Sequence, residues 1–184
     1  MSPRLNVAHQ RLVDKIVSQA RRKSKGRLAK AAVEFVRRYY RHVPIEDISG
    51  CEPADLAMAA LSLWKFGSVR SRRELLLRAF NPKSQEDDWN SPHTIIEVVN
   101  HDMPFIVDSI INELSRQGIP VHLVVHPVVQ VKRQTNGTIS RLLSDTEANE
   151  TRGVQESFIH VEISRQTSAE ALETLLNGLD RVLG

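Results

Sequence analysis

Several things are missing from this 184-residue chain, and each absence removes a class of protein. It has one cysteine, Cys51, which excludes an internal disulfide and a multi-cysteine zinc site and suits a reducing compartment. No run approaches the roughly 18 apolar residues of a membrane span, and the opening MSPRLNVAHQ lacks the apolar centre of a signal peptide. The expected location is therefore the cytoplasm. None of the eight glycines falls into a G-x-G-x-x-G turn or a phosphate loop, so the dinucleotide and nucleotide signatures are absent from this stretch. What remains is an ordinary globular composition, 41% hydrophobic and 26% charged, long enough for one domain with a real core and a smaller helical appendage.

The net charge of +3 conceals two unlike parts. Residues 1 to 41 hold 12 Lys and Arg against Asp14 and Glu34, which leaves 13 basic against 20 acidic residues for the rest. The basic segment RRKSKGRLAK attracts anions in principle, but it has no aromatic platforms for single-stranded nucleic acid. A solvated helical face or an acidic neighbouring surface is the plainer reading, and nucleic acid is not the expected partner.

Apolar spacing at i, i+3 and i+4 predicts one helix through Leu5, Leu12, Val13, Ile16 and Val17. A second runs through Leu28, Ala31, Ala32, Phe35, Val36 and Tyr39, beyond Gly26. CEPADLAMAALSLWKFG predicts a third, with Pro53 in the first turn, Asp55 at the positive end and Gly67 as the stop. Leu63 and Phe66 widen its apolar face, so burial on two sides is expected. ELLLRAFNP reads as a short strand and KSQEDDWNSP as a loop. HTIIEVV reads as a buried strand. Pro104 opens a helix carrying Val107, Ile110, Ile111 and Leu114, which Gly118 ends. Then come the extended IPVHLVVHPVVQVKR, a hairpin turn at Asn136-Gly137, a polar loop over 145–155 and the strand ESFIHVEISR. The last helix is capped by Thr167 with Glu170.

This order predicts an α+β fold, a ferredoxin-like two-layer sandwich, with a helical arm over residues 1–70 and the α+β domain over 74–184. The closing strand of that topology is not evident. Residues 74–80 are one source for it, and a continuation of the chain past Gly184 is the other.

The stretch VVNHDMPFIVDSI, with HPVV further on, resembles the N-terminal region of the large bacterial NAD-specific glutamate dehydrogenases. That likeness is dense over residues 74–133 and rests on Asn100, Asp102, Met103, Pro104, Phe105, Val107, Asp108, Ser109, His126 and Pro127. It extends more loosely from Ala54 and to the strand near Phe158. The region is similar to ACT domains, small ferredoxin-like modules that often bind amino acids and regulate metabolic enzymes. The resemblance implies a longer oxidoreductase that deaminates L-glutamate, with NAD bound in a downstream catalytic domain and no cofactor or catalytic residue in these 184 residues. It also implies the other domains of the same chain as partners, a homo-oligomer, and an amino acid effector.

ACT-type turns usually read Asp-x-Pro-Gly, and an effector docks there. Carried over, Asp102 meets an ammonium and the N–H groups near Phe105 and Ile106 meet a carboxylate, within a site of Asn100, Asp102, Met103, Pro104, Phe105 and Ile106. Phe105 stands where the glycine usually is, and its side chain can fill that space. The bland alternative is that Asp102 caps the helix, Pro104 starts it, and Met103 and Phe105 pack. If the pocket is blocked, the domain serves assembly or signal transmission.

Strand alternation turns Ile96, Val98, Val121, Leu123, Val125, Ile159, Val161 and Ile163 towards the helices, and Glu97, His122, His126, His160 and Glu162 away. The second group could bind zinc, but a half-covered polar sheet explains it more simply, and no metal is expected. Ile95, Val99 and Val124, mixed into that face, call for a cover made by the N-terminal helices or another subunit. Cys51 has no histidine placed beside it by any motif, so nucleophilic catalysis is not expected. The reading from a different class is a free-standing binding module whose basic helices contact nucleic acid or an acidic protein partner.

Overall fold

Helical spacing builds the first layer, seen in a computed structural model that describes residues 3–144, 147 and 153–184. Helix α1 (Pro3–Lys23) buries Val13, Ile16, Val17 and Ala20 along one stripe. Helix α2 (Ala29–Tyr40) buries Phe35, Val36, Tyr39 and Tyr40. After the single turn α3 (Ile45–Ile48), helix α4 (Pro53–Phe66) buries Leu56, Ala57, Ala60, Leu63 and Trp64 between α1, α2 and the sheet. The expected two-sided burial of this helix is what its composition of small and apolar residues produces. Gly67 then lets the chain pass hard against the sheet. A Cβ there would lie 2.2 Å from the Phe158 ring.

The remaining elements are β1 (Leu76–Phe80), α5 (Ser84–Asp87), β2 (Thr94–His101), α6 (Ile106–Arg116), β3 (Val121–Val125), β4 (Val128–Arg133), β5 (Ile139–Leu142), β6 (Val154–Ile163) and α7 (Ala169–Leu183). The strands form one antiparallel sheet in the order β1-β2-β6-β4-β5, with β3 paired to the far half of β6. Strand β1 runs along the outer edge of β2, from Leu76 opposite Val99 to Phe80 opposite Ile95. It takes the place of the closing strand, and residues 74–80 are thus the source among the two considered. The fold is α+β with ferredoxin-like topology, closed by a strand from the N-terminal side.

Two helical layers sandwich this sheet. On one side α6 and α7 cover Ile96, Val98, Ile159, Val161 and Ile163 with Ile110, Leu114, Leu175 and Leu179. On the other the arm covers Val99, Val125, Val129, Val131 and Phe158 with an aromatic cluster, in which Phe35 lies 5.1 Å from Phe158 and 5.2 Å from Trp64 between ring centres. The cover called for by the mixed sheet face is therefore the N-terminal helices.

Four local expectations change. A bulge between Val121 and Leu123 resets the alternation of β3, so Val124 faces α6 and α7 while Leu123 and Val125 join the arm core. The loop after β1 contains α5 and buries Trp89. The cap of α7 is Ser168, whose Oγ accepts from the Ala171 N–H at 3.1 Å, rather than Thr167. Helix α6 begins at Ile106, so Pro104 sits in the turn before it. The β4–β5 hairpin does turn at Asn136-Gly137, where Gly137 has φ +83° and a Cβ would fall 2.5 Å from the Arg70 carbonyl oxygen. The polar loop expected over 145–155 lies largely outside the described residues.

Candidate functional site

The strand–turn–helix from Asn100 to Ile106 is assembled by three elements. Asn100 is the last inward residue of β2. Its Oδ1 accepts from Arg70 Nη2 at 3.3 Å and its Nδ2 donates to the Leu183 carbonyl at 3.4 Å, which ties the turn to the end of α7. Asp102 donates its N–H to the Gln155 carbonyl at 3.2 Å. Its carboxylate accepts from Ser157 Oγ at 2.7 Å and Gln155 Nε2 at 3.2 Å. The Ser157 hydroxyl proton is thereby committed to Asp102, so His126 Nε2, 2.9 Å from the same oxygen, is placed to donate. Burial pulls the His126 pKa down and the Asp102 charge opposes it.

Asp102 is therefore not the cap of α6. The cap position belongs to Phe105, without a side-chain bond and with φ 64°, a left-handed conformation that a non-glycine residue adopts at a cost of about 1–2 kcal/mol. Phe105 keeps the glycine-like backbone but turns its ring outwards, 77% exposed, with Met103 at 41% beside it in sequence. It does not fill the turn. Ile106, by contrast, is buried. Of the six expected site residues, Asn100 and Asp102 are anchors, Met103 and Phe105 face solvent, Pro104 is exposed and Ile106 belongs to the core.

A second assembly was not foreseen. Arg70, Glu156 and Arg133 lie between the end of α4 and the sheet, with side chains 1%, 1% and 10% exposed. Glu156 Oε1 accepts from Arg70 Nη1 and Arg133 Nε, both at 2.9 Å, and Oε2 accepts from Arg133 Nη2 at 2.7 Å. Arg133 also donates to the Gly67 and Gly137 carbonyls. The segment after α4 is thus sewn to the β4–β5 hairpin, reinforced by Arg70 N–H to the Gly137 carbonyl and Ile139 N–H to the Ser68 carbonyl. Alternation along β6 does put Glu156 on the arm face, but nothing in GSVRSRR marks Arg70 as its buried partner.

The expected histidine and carboxylate group divides. His126 goes to the Asp102 turn, while Glu97, His160 and Glu162 stay on the arm face and His122 comes beside His93, ring centres 4.3 Å apart. Glu162 lies 3.4 Å from His160 Nε2 and 3.8 Å from His93 Nε2. Burial works to raise the Glu162 carboxyl, but the His160 hydrogen bond and the neighbouring histidine charges outweigh it and hold the pKa below the usual range. Glu97 is fully buried, and there burial wins over Arg78 and raises its pKa. Among the described residues no three His, Cys, Asp or Glu side chains converge to hold a metal ion.

The layers define a class: a ferredoxin-like ACT-type domain whose second sheet face carries a helical cover. A family model described as "Glutamate dehydrogenase, ACT1 domain" matches residues 35–179, and the chain belongs to that family. The NAD-specific glutamate dehydrogenase of Halomonas elongata is 35% identical over 185 residues, covering 97% of this chain and 11% of the relative. The NAD-specific glutamate dehydrogenase of Pseudomonas aeruginosa is 30% identical over 151 residues, 82% of this chain and 9% of the relative. The chain thus spans about a tenth of the length of the curated relatives it matches. No solved structure matches. No described helix is long and apolar enough to cross a membrane.

Proposed function

We propose that this chain is a regulatory and architectural region of a longer cytoplasmic, homo-oligomeric glutamate dehydrogenase. That enzyme oxidatively deaminates L-glutamate to 2-oxoglutarate and ammonia with NAD held in another domain, and the role of these residues is assembly. Family membership supports the parent activity. One observation carries the assembly role: Phe105 is held on left-handed backbone with its ring in solvent, next to exposed Met103. A strained residue that presents an aromatic ring outwards is placed for contact with another domain or subunit. Sedimentation of the longer enzyme with Phe105→Ser should show a smaller assembly. An unchanged assembly overturns this role.

The amino acid effector reading rests on a different observation. With Phe105 turned out, the first N–H groups of α6 stay uncovered by its side chain, although the Asp102 carboxylate is already engaged by Ser157 and Gln155. Calorimetric titration with free amino acids, glutamate and aspartate included, separates the two. Saturable binding lost in Asp102→Ala makes the turn an effector site; no binding at millimolar ligand leaves it a contact surface.

A further inference from the structure

A separate cavity of about 420 Å³ opens between the arm and the sheet, far enough along β6 from the Asp102 turn to stand independently of the reading above. Its walls come from the ends of α2 and α3, the start of α4, the loop before β2, and strands β3 and β6. The volume lies within the range of small-molecule sites, roughly 300–1,000 Å³. Its chemistry is one-sided. Asp47, Glu52, Asp55 and Glu162 line it together with His93, His122 and His160, and no Lys or Arg does, in a chain whose overall charge is +3.

A buried, unpartnered atom makes this more than a set of acidic residues. His160 forms part of the wall and is 1% exposed, yet its Nδ1 has no hydrogen-bond partner. Its Nε2 lies 3.4 Å from Glu162 and a carboxylate only accepts, so the neutral ring that makes this contact carries its proton on Nε2 and offers a lone pair at Nδ1. An acceptor without a donor, beside carboxylates that have histidines but no Lys or Arg in the wall with them, describes one kind of ligand. Tyr39, Tyr40 and Trp89 add aromatic surface of the sort that favours cations.

We propose that this cavity binds a small organic cation with N–H donors, an ammonium or guanidinium compound, held by Glu162 and Asp55 and by His160 Nδ1. The surroundings agree: burial first and the Glu162 charge next push up the thiol of Cys51, and burial with the charges of neighbouring groups, Glu162 among them, does the same to the hydroxyls of Tyr39 and Tyr40. A metal ion fits less well, because the histidines and carboxylates do not converge on one point among the described residues.

The test is a titration of tryptophan fluorescence, since Trp89 lies in the wall, using agmatine and 1,4-diaminobutane as probes and 1,4-butanediol as the uncharged isostere. Saturable binding of the two cations but not the diol is expected. It should weaken about tenfold or more in Glu162→Gln, as loss of a charged hydrogen bond implies, and several-fold in Asp55→Asn. A diol that binds equally well, no saturation by about 10 mM cation, or unchanged affinity in both variants overturns the proposal. If Glu162→Gln fails to melt cooperatively, Asp55→Asn decides alone, and an unchanged affinity there is the overturning result.

Discussion

Against α6 and α7 the two central strands present Ile96, Val98, Ile159, Val161 and Ile163, whereas against the arm the same strands present Glu97, Phe158, His160 and Glu162. The first face is sealed by aliphatic packing through its centre, with polar groups only at its ends, Thr94 at one and Asn100 with Ser157 at the other. The second buries Glu156 with Arg70 and Arg133, and buries Glu97 against a partly exposed Arg78, under an aromatic cluster from α2 and α4. The difference shows where this domain departs from a plain two-layer sandwich. Aliphatic burial supplies stability wherever the pattern is right, while satisfied buried charges tie one particular arm position to the sheet. The arm and the sheet share one buried cluster.

The comparison breaks most directly at Glu156. Glu156→Ala strands two buried guanidiniums and should cost about 3–5 kcal/mol in urea unfolding. Ile159→Val, three residues along the same strand on the aliphatic face, should cost about 1 kcal/mol. Equal costs would mean that the arm-face charges are incidental. Phe105→Gly relieves the left-handed strain and should raise stability by about 0.5–1 kcal/mol, read as a higher melting temperature. A loss of stability there would show that the ring is packed rather than presented.

The smallest effect concerns pH. Burial raises the Glu97 pKa in the folded state, so between its ordinary value and the raised one the folded protein holds more protons than the unfolded chain. This contribution is therefore fully present below the ordinary carboxylate pKa and is lost as pH rises through the raised one. Glu97→Gln should flatten that slope in urea midpoints measured across the interval just above the ordinary carboxylate pKa. An unaltered slope would assign the titration to another group.

The helices α1, α2 and α4, the strand at residues 76–80 and the Asn136-Gly137 hairpin were legible because each has a local cause: a 3.6-residue apolar period, a short apolar run ended by Pro82 and a polar loop, or a glycine turn. The Asp102 turn was legible as a motif but not in its bonding. Its partners Gln155 and Ser157 lie more than 50 residues away, and which strand adjoins β2 is a property of the sheet. The bulge in β3 was hidden for the same reason, since alternation read along one strand cannot register what the neighbouring strand skips.

By itself, then, the sequence determined the elements, the α+β class and the family likeness, all of which follow from spacing and residue type over short stretches. The tertiary structure alone decided that β1 closes the sheet, that the arm lies on the polar face, that Arg70 meets Glu156 across 86 residues, and that a cavity with an unpaired His160 nitrogen opens beside Glu162. Such contacts depend on loop closure and packing between distant segments, and no local pattern encodes which distant group will fill a given space.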